Sequence, residues 1–418
     1  MAYKDILANG IRVITEPMPH LYSVATGIWC NIGSINETPL LGGVSHFLEH
    51  MLFKGTKRRD AREIAQAMEA VGGQMNAFTS KEYTCYYTKC LAEHFGHSVD
   101  LLSDLYLCSL LDEEEFSKEK GVILEEINMY EDAPDDLVHD LLAAAIWGGH
   151  AYGRPIIGSK DTVSSLSAGQ LQAYYRTTYQ PESTIIAVAG NVTREEAVAA
   201  AEKYFGSFTR CDTPKNGLTI DKTKPSTRAA QTYIYKDIEQ VHLCLGFPAP
   251  TAHDEDRYVA KLLAAVLGGC ASSRLFQEAR EKRGLTYSIF SHHISYDQAG
   301  CLAAYASASP GKIQEVARIM LEQFADIAAH GPTEEEIENI KKQSKGNMLL
   351  GMESSGSMMN RLGRDEAVLQ RVVPLEETLA KVNAVDGTSI QRLAQDIFQT
   401  DKLVLALVGP EKLPQLSF

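Results

Sequence analysis

The feature of this chain that most constrains its fold is an internal duplication. STIIAVAGNVTREEAVAAAEKYF (183–205) predicts a buried strand, a turn and an amphipathic helix, and KLVLALVGPEKL (402–413) repeats the start of that pattern near the end of the chain. LDEEEFSKEKGVILEE (111–126) is echoed by PTEEEIENIKKQSKGN (332–347). Because 418 residues exceed one ordinary hydrophobic core, we expect two copies of one folding unit.

Strand-like and helical segments alternate in both halves. GIRVITEPM (10–18) has the alternation and β-branched residues of a strand, and QTYIYKDIEQVHLCLGFPAP (231–250) supplies strands in the second half. The segment between the halves, 211–229, is rich in Pro, Thr, Lys and Gly and is typical of a linker. The sequence therefore predicts an α+β tandem duplication of two homologous domains, 1–210 and 230–418, each an antiparallel-rich sheet flanked by helices.

One short segment of the first domain concentrates side chains that can bind a metal. VSHFLEHMLF (44–53) fits a helix with an apolar core face, and His46, Glu49, His50 and Phe53 follow the i, i+3, i+4, i+7 spacing of a second face. His46 and His50 lie one turn apart, a spacing at which two imidazoles can bind one ion. Glu49 beside them can hold and deprotonate a water molecule.

A zinc site with two histidines needs a third protein ligand and leaves a fourth position for water. EEEFSKEKGVILEEINMYE (113–131) predicts a helix on which Glu119 and Glu126 share one face, two turns apart. One of them can bind the metal, and the other can orient a ligand or the water. The alternative is a polar helix face whose histidines are satisfied by hydrogen bonds without any metal.

The segment HFLEHMLFKGT (46–56) resembles a known family motif, the inverted zinc motif H-x-x-E-H of the inverzincins. Over nearly its whole length the chain resembles the pitrilysin or insulinase-like (M16-type) metallopeptidases. It is most similar to half-length bacterial processing proteases and to the catalytic subunit of mitochondrial processing peptidase.

The resemblance implies one Zn²⁺ per chain, bound by His46, His50 and Glu126. Glu126 stands where the family has its third zinc ligand, and its neighbour Glu125 is the alternative that register disfavours. Glu49 matches the catalytic base, and Glu119 matches the family's supporting glutamate.

Two further blocks match the family. GGQMNAFTSKEYTCYY (72–87) resembles an edge strand that pairs with the substrate backbone. This match implies that Asn76, Ala77 and Thr79 contact the peptide and that Phe53 lines the pocket just past the scissile bond. Taken by itself, the segment NAFTS (76–80) favours the alternative of a turn entering an edge strand.

In the second half, LGGCASSRLFQEAREKRGLTYSIFS (267–291) is similar to the family's Arg/Tyr block. The similarity implies that Arg280 and Tyr287 reach the substrate and donate hydrogen bonds to the developing oxyanion. An amphipathic helix with an exposed Arg, followed by a strand with a half-buried Tyr, is the alternative. YVAKLLAAVL (258–267) has aliphatic residues where zinc ligands would stand, so we expect a single zinc site.

The resemblance predicts a zinc metalloendopeptidase that cleaves peptides or extended presequences. Full-length family members carry four such domains around a chamber, so this two-domain chain is expected to form a homodimer, or a heterodimer with an inactive paralogue. The net charge of −14 favours basic substrates and argues against nucleic acid as a partner. The alternatives are a non-catalytic core or scaffold subunit of the same fold and a purely structural zinc site.

We expect a cytoplasmic location and no membrane partner. No run approaches the roughly 18 apolar residues of a membrane span, and the start MAYKDILANG lacks the pattern of a signal peptide. The eight cysteines form no C-x-x-C pair and are typical of reduced thiols.

Overall fold

The computed structural model describes residues 2–210 and 223–413, so most of the predicted linker, 211–222, lies outside the described residues. Contacts divide the chain into two compact units. The first comprises the described parts of Met1–Ile127, Pro155–Asp221 and Met348–Val373, and the second those of Asn128–Arg154, Lys222–Asn347 and Pro374–Phe418.

The first unit contains a six-stranded sheet in the order β1-β2-β6-β3-β5-β4. Its strands are β1 (Tyr3–Ile6), β2 (Arg12–Pro17), β3 (Ser23–Cys30), β4 (Gln74–Thr79), β5 (Thr84–Leu91) and β6 (Thr184–Gly190). All neighbouring pairs are antiparallel except β2 and β6, which are parallel. Every residue of β6 is buried, as its central place in the sheet requires, whereas β4 lies at an edge.

The second unit repeats this arrangement in a five-stranded sheet with the order β7-β11-β8-β10-β9. Its strands are β7 (Ala230–Tyr235), β8 (Val241–Pro248), β9 (Ser288–Ser295), β10 (Gly300–Ala308) and β11 (Val404–Gly409). The one parallel pair again includes the last strand of the unit, here β11, which pairs with β7. The predicted fold class, a duplicated α+β unit with antiparallel-rich sheets, is confirmed.

The helices of the described residues flank these sheets. They are α1 (Val44–Leu52), α2 (Ala61–Glu69), α3 (Phe95–Cys108), α4 (Glu113–Asp132), α5 (Pro134–Trp147), α6 (Lys160–Ser165), α7 (Ala168–Thr178), α8 (Arg194–Phe205), α9 (Arg257–Gly268), α10 (Ile313–His330), α11 (Glu334–Gly351), α12 (Ser355–Leu369), α13 (Leu375–Ala384) and α14 (Gly387–Ile397). In the part of the chain with described coordinates, none of these helices has the length and apolar character needed to cross a bilayer.

Both faces of the first sheet are apolar, because side chains alternate along each strand. On one face, Ile28 of β3 belongs to the same buried cluster as Phe47 of α1. On the other face, Trp29 packs with Met359 of α12. The contact with α12 is so close that a Cβ on Gly363 would lie 2.1 Å from Cε2 of Trp29, so only glycine fits there.

Each sheet is thus covered by a helix from the opposite half of the chain. α12 packs on β3 and β6 of the first sheet, and α5 packs on β8 and β11 of the second. Leu142 of α5 lies against Gly246, where a Cβ would come within 2.8 Å of its Cδ1. The domains predicted along the chain, 1–210 and 230–418, stay predictions. Contacts between the described residues place Met348–Val373, which includes α12, in the first unit and Asn128–Arg154, which includes α5, in the second.

Candidate metal centre

The helix that carries the metal motif is held at its N-terminus by a buried carboxylate. Glu37 accepts hydrogen bonds from the backbone N–H groups of Gly43 (2.8 Å) and Ser45 (2.9 Å). Gly43 has φ +93°, and a Cβ there would meet the carbonyl oxygen of Ile157 at 2.5 Å. A carboxylate at a helix N-terminus is favoured by the helix dipole, so Glu37 fixes where α1 begins.

The core face of α1 fixes its orientation. The fully buried apolar residues of this helix are Val44, Phe47, Leu48, Met51 and Leu52. The stacked rings of Phe47 and Phe116 lie 4.5 Å apart and join α1 to α4. This packing leaves the face with the two histidines turned toward the glutamates of α4.

His46, His50 and Glu126 come together at this face. The Nε2 of His46 lies 3.8 Å from Oε1 of Glu126, and the Nε2 of His50 lies 3.6 Å from its Oε2. Ligand atoms bound to one tetrahedral zinc ion would stand about 3.3–3.5 Å apart, close to both of these distances, and the ligand atoms of all three side chains lie within 4.8 Å of one another. Within residues 2–210 and 223–413, no other set of three His, Cys, Asp or Glu side chains meets this spacing.

Burial and neighbouring charges shift the pKa values of the three side chains. Burial, followed by the charge of His50, lowers the pKa of His46 to about 3, so His46 is neutral and able to donate a lone pair. Burial opposes a charge on His50, but the carboxylates of Glu119 and Glu126 outweigh it and raise its pKa. Burial raises the pKa of Glu126 although the charge of His50 opposes this. A divalent cation at this point would compete with protons for His50 and Glu126, whose pKa values are both raised.

Glu49 lies beside this group and has its own partner. Its Oε2 accepts a hydrogen bond of 2.5 Å from the hydroxyl of Thr79, at the end of strand β4. Burial raises the pKa of Glu49, and the Thr79 hydroxyl and the charge of His50 oppose that rise. A carboxylate with a raised pKa is a better proton acceptor near neutral pH than an exposed one.

Glu119 lies behind His50. Its Oε1 is 2.8 Å from Nδ1 of His50, and its Oε2 is 2.5 Å from Nζ of Lys54. Burial would raise the pKa of Glu119, but the hydrogen bonds to His50 and Lys54 outweigh it and lower the pKa. Glu119 is thus an ionised partner of a candidate metal ligand.

The residues with predicted peptide contacts lie on or near the edge strand. Asn76 is exposed, whereas Ala77 and Thr79 are partly buried. Phe53 packs partly buried against the core of the first unit, with its ring centre 6.2 Å from that of Tyr86. The contacts of these residues with substrate stay predictions.

Arg280 and Tyr287 lie in the second unit and contact each other. Arg280 is in a π-helical turn, Phe276–Glu281, and its guanidinium lies 4.6 Å from the ring centre of Phe276 and 4.7 Å from that of Tyr287. Tyr287 is 77% exposed, not half-buried as the structural alternative expects. Their predicted role at an oxyanion stays a prediction.

Two positioning side chains are not among the sequence predictions. Lys54 follows His50 by one helical turn, and this spacing is a signal that could have indicated a shared face. Glu37 precedes α1 in an irregular segment, and no periodic pattern indicates its hydrogen bonds to that helix.

The chain matches known proteins along most of its length. The model of insulinase (peptidase family M16) matches residues 12–160, and that of the peptidase M16 inactive domain matches residues 165–344. YmxG, an uncharacterized zinc protease of Bacillus subtilis, is 43% identical over 96% of this chain and 97% of its own length. SCO5738, an uncharacterized zinc protease of Streptomyces coelicolor, is 40% identical over 99% of this chain and 91% of its own.

Solved structures share the fold. A protease from Helicobacter pylori superposes with a TM-score of 0.93 at 22% identity, covering 98% of this chain and 99% of the other. A peptidase M16 inactive domain from Pseudomonas fluorescens gives a TM-score of 0.90 at 20% identity, covering 99% of both chains. The two-sheet fold is thus shared with solved proteases, and the sequence relatives carry the name zinc protease. The chain belongs to peptidase family M16.

Proposed function

We propose that this protein is a zinc-dependent endopeptidase that cleaves peptides or extended presequences. The observation that carries the proposal is the meeting of His46, His50 and Glu126 with Glu49 on one face of α1. A closed structural zinc site would need a fourth protein ligand and no base. Three ligands beside a buried carboxylate are the arrangement of a hydrolytic site.

The proposed site residues have two roles, metal binding and proton transfer. His46, His50 and Glu126 hold the zinc, which when bound supplies a Lewis acid that makes water more acidic and polarises a carbonyl group. Glu49 takes the proton of the attacking water and passes it to the amine that leaves. Its burial and raised pKa support this exchange near neutral pH.

The backbone of edge strand β4 can form hydrogen bonds with the backbone of a peptide substrate. In the described sheet β4 pairs with β5 on one side and is the last strand on the other. An extended peptide can add there as a further strand, so that main-chain hydrogen bonds hold it regardless of sequence. Thr79 ends β4 and touches Glu49, so a peptide on this strand would run toward the base.

The charge of the protein bears on the choice of substrate. The net charge of −14 favours basic peptides. We propose a homodimer in which Arg280 and Tyr287 of a second copy reach the substrate; a heterodimer with an inactive paralogue is the alternative. Sedimentation tests this part, since a fully active monomer would contradict it.

A non-catalytic subunit of the same fold is the second candidate. The match of residues 165–344 to the M16 inactive domain is consistent with it. However, that match lies outside the metal motif at residues 46–50 and outside Glu126, and the described residues 223–413 contain no three-ligand group. The complete set of ligands and base in the first half favours the enzyme.

A matched pair of variants tests the metal assignment. Glu126→Gln is expected to lose bound zinc and cleavage of a quenched basic peptide, because it removes a charged ligand. Glu125→Gln, at the exposed neighbouring position, is expected to keep both. Chelation should abolish cleavage by the native protein and zinc should restore it; chelator-resistant cleavage would contradict the proposal.

A further inference from the structure

Two consecutive ion pairs connect the partly exposed Lys54, through Glu119, to the proposed metal ligand His50. Lys54 Nζ lies 2.5 Å from Glu119 Oε2, and Glu119 Oε1 lies 2.8 Å from His50 Nδ1. The side chain of Glu119 is 6% exposed, against 30% for Lys54 and 24% for His50. Each oxygen of the buried carboxylate therefore has one partner. The two partners are four residues apart, His50 within α1 and Lys54 just past its last residue, Leu52.

The two histidine ligands differ in what supports them. His50 has its Nδ1 against Glu119, whereas the buried Nδ1 of His46 has no hydrogen-bond partner in the described part of the chain. A ligating imidazole must keep its Nε2 lone pair for the metal and its proton on Nδ1. Glu119 favours this tautomer of His50 and fixes the plane of its ring.

The orientation of Glu119 in turn depends on Lys54. A buried carboxylate with one unpaired oxygen is costly and can relieve that cost by turning away from the imidazole. The ammonium group on Oε2 removes this cost and leaves Oε1 aimed at His50. Since the lysine is paired with a carboxylate, the pair adds no net positive charge behind the metal site.

We propose that Lys54 is a positioning residue of the metal centre, acting through Glu119 on the tautomer and orientation of His50. The inference rests on the proposed zinc site and extends it to a residue that contacts neither metal nor substrate.

Zinc affinity of the apoprotein tests the proposal directly. Zn²⁺ is titrated in competition with a chromophoric chelator, without substrate. Lys54→Met is expected to bind zinc about tenfold more weakly, at the lower end of the 10- to 100-fold effects known for groups that support metal ligands. Lys54→Gln should behave alike, and Lys54→Arg, which keeps the cation, should recover most of the affinity. Lys57→Met, at an exposed lysine in the same segment, is the charge-matched control and should bind as the native protein does.

A double-mutant cycle distinguishes positioning from a general electrostatic effect. Glu119→Gln is expected to weaken zinc binding, and Lys54→Met added to it should cause no further loss. In the single variant Lys54→Met, ¹⁵N chemical shifts of His50 in the apoprotein should show the proton on Nδ1 less populated. Thermal unfolding of each apoprotein confirms that the variants compared are folded.

Unchanged or tighter zinc binding by Lys54→Met would overturn the inference, and so would equal losses in the native and Glu119→Gln backgrounds. The first would mean that repulsion between the lysine and the ion outweighs positioning. Neither result would affect the proposed peptidase function, which is measured with the native protein. Conversely, a native protein that binds zinc but cleaves no peptide would overturn the function and leave the role of Lys54 standing.

Discussion

Replacing Thr79 by valine removes the hydroxyl that donates a hydrogen bond to the proposed base, Glu49. Valine matches threonine in shape but lacks the hydroxyl that donates to Glu49 over 2.5 Å. Glu49 must be unprotonated to accept a proton from water. Burial already raises its pKa, and the Thr79 hydroxyl opposes that rise. The substitution should therefore raise the pKa further and move the acid limb of kcat/KM to higher pH.

The size of the effect follows from the type of hydrogen bond. A bond to a charged acceptor contributes about 1.5–3 kcal/mol, and about 1.4 kcal/mol corresponds to a factor of ten in proton affinity. Because Glu49 is mostly buried, little of this is lost to solvent screening. On the acid limb, Thr79→Val should thus retain about a tenth of native activity or less, while at the plateau it should approach the native value.

The assay is the pH profile of kcat/KM on a quenched basic peptide, at fixed zinc concentration and ionic strength. Thr79→Ser keeps the hydroxyl and is the control, with a profile expected to match the native one. An equal loss at every pH would refute the reasoning, because it would mean that Thr79 acts as a peptide contact and not on the base. A shift of the acid limb to lower pH would refute it as well.

Three further outcomes are expected. Glu37→Gln removes the negative charge at the start of α1. It should lower the free energy of unfolding by about 1–2 kcal/mol and weaken zinc binding. Denaturant titration and chelator competition measure the two effects, and unchanged values would contradict the role of Glu37. Asp104 is fully buried and accepts from Arg58 (2.9 Å) and Arg59 (2.6 Å), so Asp104→Asn should cost about 3 kcal/mol. Asp100→Asn, at a more exposed position in the same network, should cost clearly less, and equal losses in denaturant titrations would show that burial does not govern the network. Removal of zinc should lower the unfolding temperature, since zinc at 100 times its Kd stabilises the native state by about 2.7 kcal/mol; calorimetry with and without chelator checks it, and coincident transitions would argue against a folded-state zinc site.

Local periodicity was sufficient to predict which side chains of α1 lie next to one another. The i, i+3, i+4 spacing of His46, Glu49 and His50 holds in α1 because the helix fixes which side chains are adjacent. The repeated strand patterns likewise predict a duplicated fold, and apart from the additional edge strand β1 the two sheets have the same strand order.

What periodicity could not predict is which surfaces meet. An apolar stripe on α5 or α12 indicates that the helix is covered, but not by which sheet, and both helices pack on the sheet of the opposite half. The predicted contact of Thr79 with substrate stays a prediction, and the structure adds a contact that the sequence did not indicate, since the Thr79 hydroxyl donates to Glu49. This contact joins a strand to a helix 30 residues earlier, and no local pattern encodes it.

The most direct test of the central claim is cleavage by Glu49→Gln at a measured zinc content. The variant keeps the size of the side chain and all three proposed ligands but removes the proton acceptor. The account predicts that zinc stays bound at the native stoichiometry while cleavage of a quenched basic peptide falls by about 10²–10⁴. A Glu49→Gln protein that holds zinc and cleaves at the native rate would contradict it.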